Sequence, residues 1–229
     1  MNRTAPAKAT GGAARAAAAT RALDRLVRLI PPPAHPCDTG PVGRRAAVEE
    51  ALGTPLPAEW YRVCRTYGEG SFGTPGNTSL LYLWNPFHKG FLNGVRKWSG
   101  ANRVYKEWTN ERLGGRKGAR AFPYDVYPAR PGLLVCGGGE RRGLFWLTDG
   151  PPDRWPVIVR DPGDKFHRFD LPLAEFLFRL FSGKTGCWAG GYDAAWFRAH
   201  RASLAFRPNC PPPRRRKRKA VRAKPRAEP

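Results

Sequence analysis

The central part of the chain alternates short apolar runs with turn residues, and this pattern predicts an antiparallel sheet. Four runs, over 133–136, 143–148, 155–160 and 166–169, each have the length of a strand. Three consecutive glycines, 137–139, predict a turn between the first two runs, because glycine adopts positive φ without steric cost. Segments rich in Asp, Gly and Pro separate the later runs. We therefore expect a meander of consecutive strands.

A strongly apolar helix is predicted directly after the last of these strands. Five apolar residues recur there at intervals of three and four positions, so they share one face of a helix. Pro172 stands where the helix would begin, and Gly183 stands where it would end. We expect this helix to pack across one face of the sheet, which gives an α+β fold with a mostly antiparallel, mixed sheet flanked by helices. The five residues are Leu173, Phe176, Leu177, Leu180 and Phe181.

The Ala-rich segment 12–30 predicts a further helix with an apolar stripe. The stripe contains Leu23, Leu26 and Ile30, and the three prolines at 31–33 end the helical pattern. A basic amphipathic helix of this kind can lie on a membrane surface. We favour the other interpretation, in which the stripe docks on the domain itself.

Weaker patterns of the same kinds predict the remaining elements of the domain. Ser99 and Gly100 predict a break in the longest of the remaining helices, because both residues are poor helix formers. A mobile basic loop is expected after it, over 114–118. The helices are expected over 44–52, 58–67, 91–112 and 192–202, and the strands over 79–84 and, at a sheet edge, over 203–207.

Both ends of the chain are basic and poor in large apolar residues. The chain has 40 Lys and Arg against 18 Asp and Glu, a net charge of +22, and more than half of this excess lies in residues 1–30 and 214–229. Highly charged segments of low hydrophobicity cannot bury enough apolar surface to offset the entropy lost on ordering. We therefore expect disorder over 1–11 and 211–229, and a single domain over 12–210.

The cysteine pattern and the hydropathy pattern both predict a cytoplasmic protein. The cysteines form no CxxC pair and are odd in number, which favours reduced thiols over a disulfide framework. No apolar stretch has the length of about 18 residues that a membrane span requires, and no apolar N-terminal run predicts a signal peptide. The five cysteines are Cys37, Cys64, Cys136, Cys187 and Cys210.

The sequence contains no arrangement of side chains that predicts catalysis. The four histidines are scattered, and Cys187 and His200 lack the second ligand pair that a zinc site needs. We therefore predict no enzymatic activity, no metal and no cofactor. Four aspartates fall in the predicted turns, where we expect them to bond their own backbone; an acidic rim, a metal site or a catalytic carboxylate is the alternative. They are Asp149, Asp153, Asp161 and Asp164.

Five residues are candidates for contact with a partner. Large aromatic side chains anchor many protein interfaces. Trp84, Trp146 and Trp155 fall in or beside predicted strands, so we expect them mostly in the core, with at most one exposed. Glu69 lies in a Gly-Glu-Gly turn, which would place its carboxylate at a loop tip. The five candidates are Glu69, Trp146, Asp149, Asp153 and Trp155.

Three segments of the sequence resemble the SUKH superfamily. Residues 48–72, VEEALGTPLPAEWYRVCRTYGEGSF, resemble its entry pattern of a short acidic helix, LG, LP, a second helix and a YG-G-F motif. Residues 124–159 resemble its central block, with GLL, a glycine turn, LFW and WPVIV. Residues 171–183, LPLAEFLFRLFSG, resemble its closing helix. The order and spacing match over 48–183, and Cys136 stands where the pattern often has Trp.

The resemblance implies an α+β domain of a superfamily whose members are mainly protein-binding modules rather than enzymes. Bacterial members often act as immunity proteins that bind and silence a toxin, frequently a nuclease, and fungal relatives regulate cell-wall assembly. We therefore expect a protein partner, with a toxin as the first candidate. The positive charge of the domain favours an acidic partner surface over the basic cleft of a nuclease.

The basic C-terminal tail suggests a second function. A run of six Lys and Arg can bind phosphates through counterion release, without base specificity. The chain would then be a nucleic-acid-associated adaptor protein; a solubilising tail is the simpler alternative. The run consists of Arg214, Arg215, Arg216, Lys217, Arg218 and Lys219.

Overall fold

A computed structural model describes residues 10–113, 122–139, 142–185 and 192–210 of the chain. Within these residues, groups of helices stand between groups of strands, which is the order expected of an α+β fold. The α-helices are α1 (Thr10–Leu29), α2 (Arg44–Leu52), α3 (Ala58–Tyr67), α4 (Phe91–Leu113), α5 (Leu173–Phe181) and α6 (Ala194–Ala199). The strands are β1 (Gly70–Thr74), β2 (Asn77–Leu83), β3 (Leu133–Gly139), β4 (Arg142–Leu147), β5 (Val157–Arg160), β6 (Phe166–Phe169) and β7 (Ala205–Pro208).

The strands form one sheet in the order β6-β5-β4-β3-β2-β1-β7. Neighbouring strands pair antiparallel, so β3 to β6 make the predicted meander. β1 and β2 form a hairpin, and β7 lies at the edge beside β1, where an edge strand is predicted. Val126 and Leu133 add an isolated parallel bridge. The predicted α+β class, with helices flanking a mostly antiparallel sheet, is confirmed.

Helices cover both faces of this sheet. Trp146 of β4 packs on Trp60 of α3, with 6.2 Å between ring centroids, and its register partner Val157 shares that face. Residues an odd number of positions apart on a strand point to opposite faces, so Arg160 of β5 lies on the other face. There its guanidinium packs over the Tyr105 ring of α4. α3 and α4 therefore lie on opposite faces, and α1 and α5 pack with α3.

The apolar stripe of α1 lies in the core, which confirms the docking interpretation. Leu26 and Ile30 are fully buried, and α1 packs along α5. Arg25 of α1 pairs with Glu175 of α5 and packs over the ring of Phe178. The helix is therefore part of the folded domain rather than an appendage to it.

The first helix of the domain begins close to where the sequence predicts it. Helix α1 begins at Thr10, so the disorder predicted over 1–11 is wrong for its last two residues. Residues 1–9, the predicted basic loop at 114–118 and the tail at 211–229 lie outside the described residues. None of the described helices is long and apolar enough to cross a membrane.

Two glycine-rich segments are strands that the sequence does not predict. Residues 137–139 are expected to turn but continue β3. A Cβ at Gly139 would lie 2.4 Å from the Leu80 carbonyl oxygen of β2, so the two strands approach closely here. The sequence pattern does not predict β1, where a Cβ at Gly70 would lie 2.2 Å from the Arg207 carbonyl oxygen of β7. At both positions the glycine permits close approach of two strands, which a side chain would prevent.

Two helices differ in extent from their predictions. Helix α4 continues through Ser99 and Gly100, so the predicted interruption is wrong. Its packing against β3 outweighs the cost of a helical glycine, which is about 1 kcal/mol. Helix α6 begins later than predicted, since Asp193 caps its N-terminus by accepting a hydrogen bond from the Trp196 N–H at 2.8 Å. It also ends earlier, at Ala199, and Arg201–Ser203 form a short 3₁₀ turn.

Cys37 and Cys210 form a disulfide, so the prediction of reduced thiols is wrong for this pair. Their Cα atoms are 6.4 Å apart, a separation that a disulfide spans. The bond joins the loop before α2 to the residues after β7. Cys64 and Cys136 are free thiols whose pKa values are raised by burial, which makes them poor nucleophiles.

Reduction of the Cys37–Cys210 disulfide is expected to lower the free energy of unfolding. The bond joins residues 173 positions apart, and cross-linking so large a loop stabilises a protein by about 2–5 kcal/mol. Urea unfolding of the wild type with and without reductant measures the difference. Cys37→Ser is the control, because it should unfold like the reduced wild type and should not respond to reductant. Equal midpoints for the oxidised and reduced wild type would contradict the prediction.

Glu59 of α3 is a buried carboxylate that holds the N-terminus of α5. Its Oε1 accepts a hydrogen bond from the Leu173 N–H at 2.7 Å, where Pro172 offers no side-chain cap. Its Oε2 has no hydrogen-bond partner. Desolvation raises the pKa of Glu59 to about 7, although the Leu173 hydrogen bond and the nearby Arg15 and Arg62 act in the opposite direction.

Glu59→Gln is expected to stabilise the protein above pH 7 and to change its stability little at pH 4.5. Because the folded state binds the Glu59 proton more tightly, wild-type stability is highest below the ordinary pKa of 4.5 and falls as pH rises through about 7. This shift corresponds to about 3 kcal/mol. Gln removes the charge and keeps an acceptor for the Leu173 N–H.

Denaturant unfolding at several pH values between 4.5 and 8 measures the effect of Glu59→Gln. Glu59→Ala is the matched control, because it removes both the charge and the hydrogen-bond acceptor and should be less stable than Glu59→Gln at every pH. The same pH dependence in the wild type and in Glu59→Gln would show that Glu59 titrates as an ordinary carboxyl group.

Candidate partner-binding site

The five candidate contact residues lie in three different places. Asp149, Asp153 and Trp155 belong to residues 148–156, which we call the β4–β5 turn. Trp146 lies in β4, and Glu69 precedes β1, which is separated from β4 by two strands in the sheet. The structure therefore brings three of the five together.

The sequence Asp-Gly-Pro-Pro fixes the shape of the β4–β5 turn. Gly150 has φ of 69°, a left-handed conformation that side chains disfavour. Pro151 precedes a short 3₁₀ turn, Pro152–Arg154, that begins at a residue with a fixed φ. The Trp155 indole N–H then donates to the Gly150 carbonyl at 2.9 Å, which closes the turn on itself and buries the ring.

The two aspartates of the β4–β5 turn have different roles. Asp153 Oδ1 accepts a hydrogen bond from the Ala58 N–H at 2.8 Å and so caps α3, where Pro57 provides no side-chain acceptor. Asp149 is exposed beside a cavity. Asp153 therefore holds the turn to α3, whereas the Asp149 carboxylate is accessible to a ligand.

A cavity of about 430 Å³ lies against the β4–β5 turn. Arg130 and Asp149 place opposite charges at its surface, and Thr148 and Trp155 contribute to its wall. Arg130 is held by a 2.8 Å hydrogen bond from Nη2 to the Gly53 carbonyl. Charged groups beside an apolar wall can hydrogen-bond and pack against a protein segment, as the polar rim of an interface does.

The Thr148 hydroxyl in this cavity is a structural group. Thr148 Oγ1 donates to the Gly132 carbonyl and accepts from the Gly132 N–H, both at 3.0 Å. A hydroxyl nucleophile needs an adjacent base, and these contacts bind the Thr148 hydroxyl to backbone instead. In the ranges that the structure covers, no group of three or more His, Cys, Asp or Glu side chains could hold a metal ion.

Two of the candidate contact residues are tryptophans of the core. Trp146 is fully buried against Trp60, and Trp155 is 2% exposed. Trp84 is partly buried and packs edge-on against Trp98. The expectation that the strand tryptophans lie mostly in the core is confirmed, and the suggestion that Trp146 and Trp155 contact a partner directly is corrected, because their rings are used for packing.

Glu69 is not at a loop tip, so that prediction is also corrected. Its N–H donates to the Cys37 carbonyl at 3.1 Å, and its carbonyl accepts from the Asn209 N–H at 2.9 Å. These two bonds hold the backbone between neighbouring segments, and the residue is 3% exposed. Its Oε2 has no hydrogen-bond partner. Desolvation, and to a smaller extent Asp38, raises the pKa of Glu69 to about 7.

The other two turn aspartates bond within the structure. Asp161 Oδ1 accepts from the N–H groups of Gly163 at 2.8 Å and Lys165 at 3.0 Å, which confirms the expected turn role. Burial alone would raise the pKa of Asp161, but these bonds and a 3.0 Å contact with His167 lower it overall. Asp164 Oδ2 accepts a hydrogen bond from the Tyr105 hydroxyl and ties the turn to α4.

Helix α4 has an exposed aromatic side chain that the sequence pattern does not predict. Trp108 is 49% exposed and Val104, one turn earlier, is 66% exposed; we call these two residues the α4 face. Arg112 packs its guanidinium over the Trp108 ring at 5.1 Å. The buried side of the helix carries Asn102 and Thr109, so the helix has no simple apolar period that would reveal which side faces solvent.

A groove of about 360 Å³ lies between α2 and α4. Its apolar lining includes Leu92, Val95 and Tyr127, and Arg96 and Arg103 add two positive charges. The groove is a second surface of α4, apolar in part and bordered by positive charge. Nothing in the sequence pattern predicts this groove, because α2 and α4 are far apart in the chain.

Asp153→Ala is expected to lower the free energy of unfolding by about 1 kcal/mol, because α3 loses an N-terminal hydrogen-bond acceptor. Asp149→Ala is the matched control from the same turn, and its effect should stay within about 0.5 kcal/mol, as for most exposed substitutions. Denaturant unfolding of both variants provides the measurement. Equal losses of stability in the two variants would contradict the capping role of Asp153.

Comparisons with known proteins add no family assignment to this geometry. No family model matches the sequence, no curated protein matches it, and no solved structure matches the chain. The candidate nucleic-acid-binding residues lie outside the described residues, so the structure places none of them. They are Arg214, Arg215, Arg216, Lys217, Arg218 and Lys219.

Proposed function

We propose that the chain is a non-enzymatic protein-binding module of SUKH type and that it acts as an immunity protein. It would bind a toxin as a folded domain and cover the toxin's active site. Stable cover of this kind buries about 1,200–2,000 Å² in total, so the contact surface must extend beyond a single cavity.

The observation that carries this proposal is that the three segments resembling the SUKH superfamily pack on one another. Trp60, in segment 48–72, packs on Trp146, in segment 124–159, with 6.2 Å between ring centroids. Phe72, also in the first segment, packs on Phe181 of the closing helix at 4.8 Å. The three segments therefore form one core, as expected if they define a common fold.

The α4 face and the neighbouring groove are the surface that we assign to the partner. An exposed tryptophan is typical of residues that contribute most to binding energy. Arg96 and Arg103 line the groove between α2 and α4, which favours a partner with acidic side chains. The exposed Asp149 and Arg130 of the β4–β5 cavity form a second, smaller candidate surface.

A cytoplasmic location is part of the same proposal. In the cytoplasm, glutathione and thioredoxin would keep Cys37 and Cys210 reduced, whereas an oxidising compartment would preserve their disulfide. Trapping the thiols by alkylation in the native host, followed by mass spectrometry of the two peptides, tests the location. Free thiols at both positions would support the cytoplasm, and a disulfide between them would contradict it.

Affinity co-purification from the native host is expected to recover one stoichiometric protein partner with both the full chain and residues 10–210. The shorter chain keeps α1, because Leu26 and Ile30 belong to the core. Nuclease treatment and moderate salt remove partners held through nucleic acid. The recovered protein should be toxic when expressed alone, and this chain should restore growth.

Trp108→Ala should weaken binding of this partner by about thirtyfold, the effect of losing a side chain that contributes about 2 kcal/mol. Val42→Ala is the control, because Val42 is a fully exposed apolar residue that does not belong to α4. Catalytic turnover of any substrate by the purified chain would contradict the non-enzymatic proposal, and a partner that is not toxic would contradict the immunity role.

The nucleic-acid adaptor is the second candidate function, and the run at 214–219 favours it. The same co-purification, repeated without nuclease treatment, distinguishes it. Nucleic acid recovered by the full chain and lost with residues 211–229 would support the adaptor, and its affinity should fall steeply with salt. Nucleic-acid binding that survives removal of the tail would contradict the role of the tail.

A further inference from the structure

A small cavity of about 140 Å³ lies beside the buried carboxylate of Glu69. Three aromatic residues contribute to its wall: Tyr82 of β2, Trp84 just after β2, and Phe91 at the start of α4. Asn85 supplies an amide group. The wall of the cavity thus contains one carboxylate and several aromatic rings.

The aromatic wall of this cavity is held in place by close packing. A Cβ on Gly94 would lie 2.1 Å from the Trp84 ring, so the first turns of α4 press directly on that ring. Trp84 also packs edge-on against Trp98, with 6.0 Å between centroids. Its backbone carbonyl accepts a 3.0 Å hydrogen bond from the Trp60 indole N–H. The cavity is therefore formed before any ligand arrives, which favours affinity.

Among the described residues, the charged groups around the cavity leave the Glu69 carboxylate without a cationic partner. Asp38, on the loop before α2, adds a second negative charge and lies 4.0 Å from His88 Nε2. The guanidinium of Arg44 donates to the His88 carbonyl at 3.2 Å rather than to a carboxylate. Glu69 Oε2 accepts no hydrogen bond. A buried carboxylate without a partner is destabilising, and a ligand cation would remove that cost.

We propose that this cavity is a recognition site for one guanidinium or alkylammonium group, carried by an arginine or lysine side chain. Glu69 would accept a charge-assisted hydrogen bond from the cation, and the aromatic wall would stabilise it through cation–π contact. The volume is that of roughly five water molecules, at about 30 Å³ each, which suits the end of one such side chain.

The cation could come from a partner protein or from the chain's own tail. A partner protein could insert a basic side chain, and this source rests on the proposed function. The chain's own tail is the second source, because Asn209 hydrogen-bonds to Glu69 and the basic run begins at Arg214. Both sources present the same chemistry to the same carboxylate.

The test uses N-acetyl-arginine-N-methylamide as the probe, titrated into the full chain and into a chain that ends at residue 210. NMR at pH 8, above the pKa of about 7 for Glu69, follows the resonances of Trp84, Asn85 and Gly94. The corresponding citrulline derivative is the matched probe, since it has nearly the same shape without the charge. It should bind at least about tenfold more weakly.

Glu69→Gln should weaken binding of the arginine probe by a similar factor, whereas Glu50→Gln, an exposed carboxylate on α2, should not. Binding by both chains supports an external source, and binding by the shorter chain alone supports occupation by the tail. Equal binding of the two probes, or no binding to either chain, would overturn the proposal. The comparison of probes on the wild type decides the question even if Glu69→Gln fails to fold.

The outcomes for this cavity and for the proposed function can be separated. Arginine-probe binding without a toxic partner would support the cavity and contradict the immunity role. A toxic partner held equally by the wild type and Glu69→Gln, together with no probe binding, would support the immunity role and contradict the cavity.

Discussion

The packing of Trp60 is the interaction on which the rest of the structure depends. Its ring lies 6.2 Å from that of Trp146 in the sheet and 5.6 Å from that of Phe91 at the start of α4. Its indole N–H donates to the Trp84 carbonyl at the end of β2. One fully buried side chain thus joins α3, two parts of the sheet and α4, and an aromatic ring of this size buries about 150–250 Å².

Both buried carboxylates depend on this aromatic core. Glu59 precedes Trp60 in α3, and the anchored helix holds its carboxylate at the N-terminus of α5. Trp84, whose carbonyl is bound by Trp60, forms part of the wall beside Glu69. Burial within this packing desolvates each carboxylate and raises the pKa of both.

The sequence predicts the elements that local patterns determine. Helices α2 and α3 and strand β6 have their predicted bounds, and α5 lies within two residues of its own, because apolar period, proline and glycine mark them within a few residues. The continuation of β3 through its glycines, the Cys37–Cys210 bond and the burial of Glu69 depend on segments distant in the chain. The same holds for the candidate site. Local sequence determines the β4–β5 turn, whereas the α4 face depends on how distant segments pack.

Glu59 and Glu69 are buried to a similar extent but differ in what explains their burial. Glu59 bonds the first N–H of α5, so its position serves the fold. Among the described residues, Glu69 Oε2 has no partner, although Arg44 lies near enough to bond the carbonyl of His88, a residue that lines the same cavity. A chain with 40 Lys and Arg contains many cations that could form a structural ion pair with Glu69. Buried polar groups normally have hydrogen-bond partners, and an unpaired carboxylate in a preformed aromatic cavity is an exception. Such exceptions are expected where a protein binds a ligand.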